Sequence, residues 1–435
     1  MKHFLFKSLN IWFLGVIALF CFVLTQIGYL ASYYGNNNRL YGITLSLYKG
    51  ITVYWLIFFG LFALLGVFGV VRNSKKKLTI LAMGTFFIVI MDIIAWGFVY
   101  SADSLYQSTL TGYITFISFF FMLGLYINDF FELLKKKFFR SVGTIAFLLL
   151  ICIVIRFSYY GFQRTGKFQL YQFYDTFSGT LNINYITLTE SVAVAMLLIL
   201  ALIRKVRNRI LFAIPMVLLL SSSLSRATFV EFVGALFVFF IIKLSRKKLI
   251  LFLTSLILVM TIILLIKLDA NILSILEHNR ATGIFVELIS GEAAFDSSYE
   301  ARKVILNENL DNLKNIWLFG QFGSGMNVTG QGAYIHNWLS FWIAYGFFPF
   351  LGFSIIYIVA LFKILKKWRK VNTPLSDFII LYGVYVLIAI IAFRSYVFHN
   401  AWLAFGMLAM ASDGHFDKNI ENNNSDNVQV LRSKY

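Results

Sequence analysis

The chain has 435 residues, of which 59% are hydrophobic, with 29 glycines besides, while Asp, Glu, Lys and Arg together make up only 13%. Charged residues at about half the soluble norm and a mean hydropathy of +0.78 exclude a string of soluble domains and describe a chain whose solvent is mostly lipid. The formal charge of +18 does not argue for nucleic acid, because the basic residues fall in short clusters between apolar runs, where they mark membrane orientation.

From the N-terminus, Lys2 and Lys7 precede an apolar run from Ile11 to Leu30 with no small-x-small site, which reads as an uncleaved first span. Apolar stretches long enough to cross a bilayer follow, and the full set lies near 11–30, 51–71, 78–98, 110–127, 141–157, 183–203, 210–225, 227–243, 249–266, 338–362, 377–393 and 396–411. This predicts an all-α polytopic membrane domain over 1–411 with about twelve transmembrane helices. Cys21 and Cys152 lie inside such runs without a CxxC partner and read as inert thiols.

Most of the 38 basic residues gather in alternate segments, among them RNSKKK, RKVRNR and KILKKWRK, whereas the segment 99–109 has none. That alternation fits an N-in, C-in topology in the cytoplasmic membrane. It makes 267–337 one large extracytoplasmic loop holding Asp269, Glu277, Glu287, Glu292, Asp296, Glu300, Glu308 and Asp311, together with the stretch FGQFGSGMNVTGQG. A loop of this length is expected to carry short helices, one near 298–310. The tail 412–435, with ENNNSDN, reads as disordered and cytoplasmic. Neither GxGxxG nor a P-loop occurs, so chemistry outside the membrane would draw on an activated substrate, with no cofactor.

Certain polar residues need a reason for their place. Arg226 ends the turn Ser221-Ser222-Ser223-Leu224-Ser225-Arg226 between two spans. It is either a snorkelling arginine closing a hairpin or, with helix-end N–H groups beside it, a holder of phosphate or pyrophosphate. Arg302, upstream of Gly320, Gly323 and Gly325, is either a solvated loop charge or part of a polar ligand site.

His336, Asn337 and Trp338 stand where the loop re-enters the membrane. They combine a proton acceptor, an amide for hydroxyls and an aromatic surface that suits a sugar site or the interfacial belt. Arg394 and His399 repeat the theme before the last span. Within spans, Asp92, Glu190 and Glu231 are costly carboxylates that need partners: a structural arginine or turn, a bound acceptor sugar, or a coupled proton.

Three of these elements, SSSLSRATFVEFVG, Arg302 with FGQFGSG, and HNWLSFWIAYG, resemble in order and spacing the signature of the O-antigen ligase and polymerase superfamily. The likeness covers about 220–352, and it departs at Ala227, where many relatives have glycine after the Ser-Arg pair. The resemblance implies a donor glycan on undecaprenyl pyrophosphate, a glycan acceptor, and metal-independent glycosyl transfer at the outer face of the cytoplasmic membrane. It makes Arg226 and Arg302 the pyrophosphate-holding arginines and His336 the activator of the acceptor hydroxyl. Ser225, Asn337, Trp338, Arg394, His399, Glu190 and Glu231 are the expected substrate-binding residues.

Expected partners are membrane lipids, a flippase and a chain-length regulator. The favoured activity is polymerisation of repeat units into capsule, exopolysaccharide or O-antigen. A ligase moving a finished glycan to a lipid A core shares the same residues, and a polysaccharide flippase or proton-coupled transporter is the competitor from another class.

Overall fold

The computed structural model describes residues 77–100, 104–134, 185–203, 206–221, 225–244, 297–323, 335–369, 371 and 373–414. Among them are eleven helices: α1 (Lys77–Val99), α2 (Ser104–Leu125), α3 (Ile127–Leu134), α4 (Tyr185–Leu202), α5 (Val206–Ser221), α6 (Arg226–Lys243), α7 (Ser297–Ile316), α8 (Leu339–Tyr345), α9 (Phe347–Trp368), α10 (Pro374–Ala392) and α11 (Asn400–Ser412). They fall into two compact units: one holds α1–α3 and α7–α11, the other α4–α6.

The expectation of about twelve transmembrane helices is corrected. Among the described residues only α1, α9 and α10 are long and apolar enough to cross a membrane. Elsewhere the apolar run is shorter than the helix, as at Phe116–Leu125 in α2, Val192–Leu202 in α4 and Asn208–Val217 in α5. Helix α6 carries Arg226, Glu231 and Lys243 within 18 residues. Helix α11 has 13 residues, about 20 Å at 1.5 Å per residue, against a hydrocarbon core of about 30 Å. The stretch read as one span over 338–362 is two helices, broken at Gly346. The windows 11–30, 51–71, 141–157 and 249–266 lie outside the described residues. The N-in, C-in assignment with one large outer loop rested on the full even number of spans and falls with it.

In the larger unit α11 is the central element, packed against α1, α2, α9 and α10. Every residue from Ala401 to Ala411 is buried, as expected of a helix that is apolar on all sides and enclosed by protein. Its crossing with α2 is close because glycines meet there. A Cβ at Gly406 would lie 2.6 Å from the Phe121 carbonyl oxygen, and one at Gly124 would overlap the Leu403 carbonyl. Small residues let two backbones approach where no side chain intervenes. Aromatic rings fill the remaining volume, with Phe353 stacked on Phe405 at 4.7 Å and on Phe341 at 4.8 Å.

Helix ends are fixed locally. Thr373 and Ser376 exchange a reciprocal capping box at the start of α10, with Pro374 following the cap, a pattern legible in Thr-Pro-Leu-Ser. At the start of α1 the cap comes from a distant residue: the Asp413 carboxylate accepts from the Thr79 N–H at 2.8 Å and from its hydroxyl at 2.9 Å. The early N–H groups of a helix have no partner within it, so this carboxylate ties the end of α11 to the beginning of α1. Asp413→Ala is expected to remove about 1 kcal/mol and to lower the thermal midpoint in detergent. Asp311→Ala, at an exposed position of α7, should leave that midpoint unchanged.

In the smaller unit α4, α5 and α6 pack pairwise. Ser225 caps α6 by accepting from the Thr228 N–H at 3.3 Å. Arg209 is buried, donates to the Ile203 carbonyl and stands 5.5 Å above the Phe239 ring.

Candidate functional site

The residues expected from the sequence divide between the two units. Ser225, Arg226, Glu190 and Glu231 belong to the smaller one, and Arg302, His336, Asn337, Trp338, Arg394 and His399 to the larger. In the smaller unit Arg226 is the first residue of α6, Glu231 is completely buried and Glu190 is half-buried on α4. The Ser225 hydroxyl is engaged in the cap and in a 2.8 Å hydrogen bond with Thr228, so the serine caps the helix that Arg226 begins.

In the larger unit the glycine-rich stretch and the re-entry segment come together. Gly320, at φ 65, and Gly346, at φ 80, face one another. A Cβ at Gly320 would lie 2.8 Å from the Tyr345 backbone nitrogen and carbonyl carbon, and one at Gly346 2.6 Å from the Phe319 carbonyl carbon. Both glycines are therefore required twice, by the left-handed backbone and by the close approach. Two backbone bonds hold the crossing: Gln321 N–H donates to the Ile343 carbonyl at 2.6 Å, and Phe347 N–H to the Leu318 carbonyl at 3.1 Å. The Gln321 side chain donates to the Tyr100 hydroxyl at 2.5 Å, attaching the same stretch to the end of α1.

His336 is half-buried ahead of α8. Asn337 turns the chain into that helix by accepting from the Leu339 N–H at 3.0 Å, which is the local side-chain turn that favours Asn at helix starts. Trp338 is held to α9 by an indole N–H donated to the Ser354 hydroxyl at 2.6 Å. Ser340 accepts from the Tyr396 N–H at 2.8 Å, and so joins the re-entry segment to the link between α10 and α11 that carries Arg394 and His399.

Arg394 is buried with its guanidinium 5.9 Å from the Phe398 ring centre. His399 lies among rings, stacked on Phe116 at 5.0 Å with Tyr113 at 5.6 Å and Phe120 at 5.9 Å. Its Nδ1 is buried without a hydrogen-bond partner. The ring thus acts as packing for α2 at this end of the unit.

Sequence reasoning did not find Tyr113. Its hydroxyl donates to the Tyr396 carbonyl and shares a hydrogen bond with the Tyr345 hydroxyl. Phe322 from the glycine-rich stretch packs beside it, 5.1 Å from the Tyr113 ring and 5.5 Å from the Tyr396 ring. One tyrosine therefore binds α2, the end of α8 and the α10–α11 link around the docked glycine stretch. Nothing in the sequence distinguishes it among 23 tyrosines.

Arg302 stands on α7, four residues before Leu306. Leu306 and Ile316 pack with Leu313, Ile335, Ile343 and Trp342 in the small core between α7 and the re-entry segment. The helix expected near 298–310 is present and continues to Ile316. Its outward side is mainly polar, with Val304 and Leu310 also exposed, and there Lys314 donates to Asp311 at 2.8 Å, which holds the ammonium above its ordinary range. Among the described residues no three His, Cys, Asp or Glu side chains cluster as a metal site would require.

No protein-family model matches the chain, and no curated protein matches it. Among the described residues three helices are long and apolar enough to cross a membrane, which is consistent with a membrane-associated helical protein.

Proposed function

We propose that the protein is a membrane glycosyltransferase that polymerises oligosaccharide repeat units carried on a polyprenyl pyrophosphate. The observation that carries this reading is the contact between two separate elements of the sequence signature. The glycine-rich stretch downstream of Arg302 is bonded through its backbone to α8, the helix that His336, Asn337 and Trp338 introduce. Gly320 and Gly346 are filled by each other's backbone, and their pairing ties the stretch after Arg302 to a helix that an imidazole, an amide and an indole precede, groups that suit a polar sugar substrate.

The chemistry needs no nucleotide. An acceptor hydroxyl attacks the anomeric carbon while His336 takes its proton. The bond from that carbon to the pyrophosphate oxygen breaks, and the lipid pyrophosphate leaves with its charge met by Arg302. The last turn of α9 carries Lys366 and Lys367. Positive-inside bias favours that end in the cytoplasm and the His336 end outside.

The test is purified protein supplied with lipid-pyrophosphate-linked repeat units and no ATP, read as a ladder of lengthening glycans. Arg302→Lys keeps the charge but loses the planar two-pronged donor, and it is expected to abolish most of the ladder at normal membrane expression. Transfer of one preassembled chain to a core acceptor without a ladder would convert the reading to a ligase. Absence of any transfer from lipid pyrophosphate would end it.

A further inference from the structure

The end of α7 and the beginning of α9 form an aromatic ledge beside the Gly320–Gly346 crossing. Trp317 and Phe347 meet edge to face at 6.2 Å, Trp342 lies 5.4 Å from Phe347, and Phe347 lies 5.7 Å from Phe348. The Trp342 indole N–H donates to the Trp317 carbonyl at 2.7 Å, which fixes one tryptophan on the other. Trp317 is 50% exposed, Phe319 74% and Phe348 65%. A cluster of large apolar rings this open is costly in water.

The occupant follows from what the ledge adjoins. Exposed apolar side chains continue from Phe348 along one stripe of α9 through Leu351, Ile355, Ile358 and Phe362, the side of a spanning helix that faces lipid. Its 22 residues reach from Phe347 to Trp368, about 33 Å at 1.5 Å per residue, against a hydrocarbon core of about 30 Å. With Lys366 and Lys367 at one boundary, Phe347 and Phe348 fall at the other.

On α7 the exposed side chains Lys303, Asn307, Glu308, Asp311 and Lys314 outnumber the exposed apolar Val304 and Leu310, and the large rings Trp317 and Phe319 come next. Tryptophan indoles concentrate at the level of lipid headgroups, with the ring toward the acyl chains.

We infer that Trp317, Phe319, Trp342, Phe347 and Phe348 form a foot seated in the headgroup region of a lipid bilayer. The inference rests on the reading of α9 as a membrane span. Leu318 and Gly320 lie between the rings of the foot and Gln321. Seating the foot therefore sets the height of the docked glycine stretch relative to the bilayer.

The test uses the full chain with Cys21 and Cys152 changed to serine, reconstituted in phosphatidylcholine–phosphatidylglycerol vesicles. Nitroxide labels are placed at Phe319→Cys, Trp317→Cys, Lys314→Cys and Ile358→Cys, and spin relaxation is read against oxygen and a water-soluble nickel chelate. The ratio of oxygen to nickel collisions is expected to be severalfold higher at 319 and 317 than at 314, and highest at 358. A ratio at 319 and 317 equal to that at 314, with 358 still in lipid, would overturn the foot while leaving the span intact. A label at 358 that collides freely with nickel would overturn both, through the failure of the span. Labels at 319 and 317 reached by neither reagent would show protein covering the ledge, and would overturn the foot alone.

Discussion

His336→Ala is expected to lower the rate of glycosyl transfer by roughly 10²–10⁴-fold, the usual contribution of a positioned general base, with donor affinity largely retained. His336→Gln keeps a hydrogen-bonding side chain of similar reach but cannot take up the proton, so it should be nearly as slow. The informative companion is His399→Ala. The two histidines share an Asn neighbour in sequence, but His399 is packed against Phe116, Phe120 and Tyr113, whereas His336 opens the segment that leads into α8. Truncating a ring held among three others leaves a void, and the defect expected for His399→Ala is a lowered thermal midpoint. Donor binding and single-turnover rate, measured beside that midpoint for all three variants, separate the roles. A His336 variant that binds donor poorly but turns over normally once bound would remove it from the base role. A His399→Ala protein of full stability and no turnover would transfer that role to His399.

Much of the larger unit is legible in the sequence where a local signal coincides with a structural one. Helix α1 follows its apolar window within a residue or two, whereas α10 begins three residues ahead of its window, at the Thr373 cap. What hydropathy does not resolve is what surrounds an apolar helix. The 13 residues of α11 score as a span, yet they are enclosed by α1, α2, α9 and α10, because the inside of a helical bundle is as apolar as lipid.

The break at Gly346 is hidden for the same reason, since the hydropathy of 338–362 runs on without interruption. The signal that carries it is glycine followed by Pro349, a combination that halts one helix and opens another. In the candidate site, His336 and the glycine stretch are visible as residue types that need a purpose. Tyr113 is not, because it works through a hydroxyl whose partners come from 232 and 283 residues away in the chain.

Adding one methyl group at each of three glycines should give opposite results. Gly124→Ala and Gly406→Ala are expected to destabilise the larger unit by about 2–3 kcal/mol, the range for an overpacked contact that rotamer changes cannot relieve. The obstacle in both is backbone: the Leu403 carbonyl opposite Gly124 and the Phe121 carbonyl opposite Gly406. Backbone at a helix crossing cannot swing aside, so α2 and α11 must separate, and Tyr113 on α2 would then draw away from the Tyr396 carbonyl and from Tyr345. Gly84 is the counter-case. It lies in α1, and a Cβ there would meet no atom within 4 Å. Alanine at an open helical position removes the entropy cost of glycine and is worth about 0.5–1 kcal/mol in the stabilising direction.

Thermal midpoints of the three variants in one detergent should therefore fall, fall and rise. If the pairing of Gly124 with Gly406 is one interface, the double variant should lose less than the sum of the two singles, because helices already pushed apart by the first methyl have room for the second. Midpoints for Gly124→Ala and Gly406→Ala at or above that of Gly84→Ala would refute the close α2–α11 crossing.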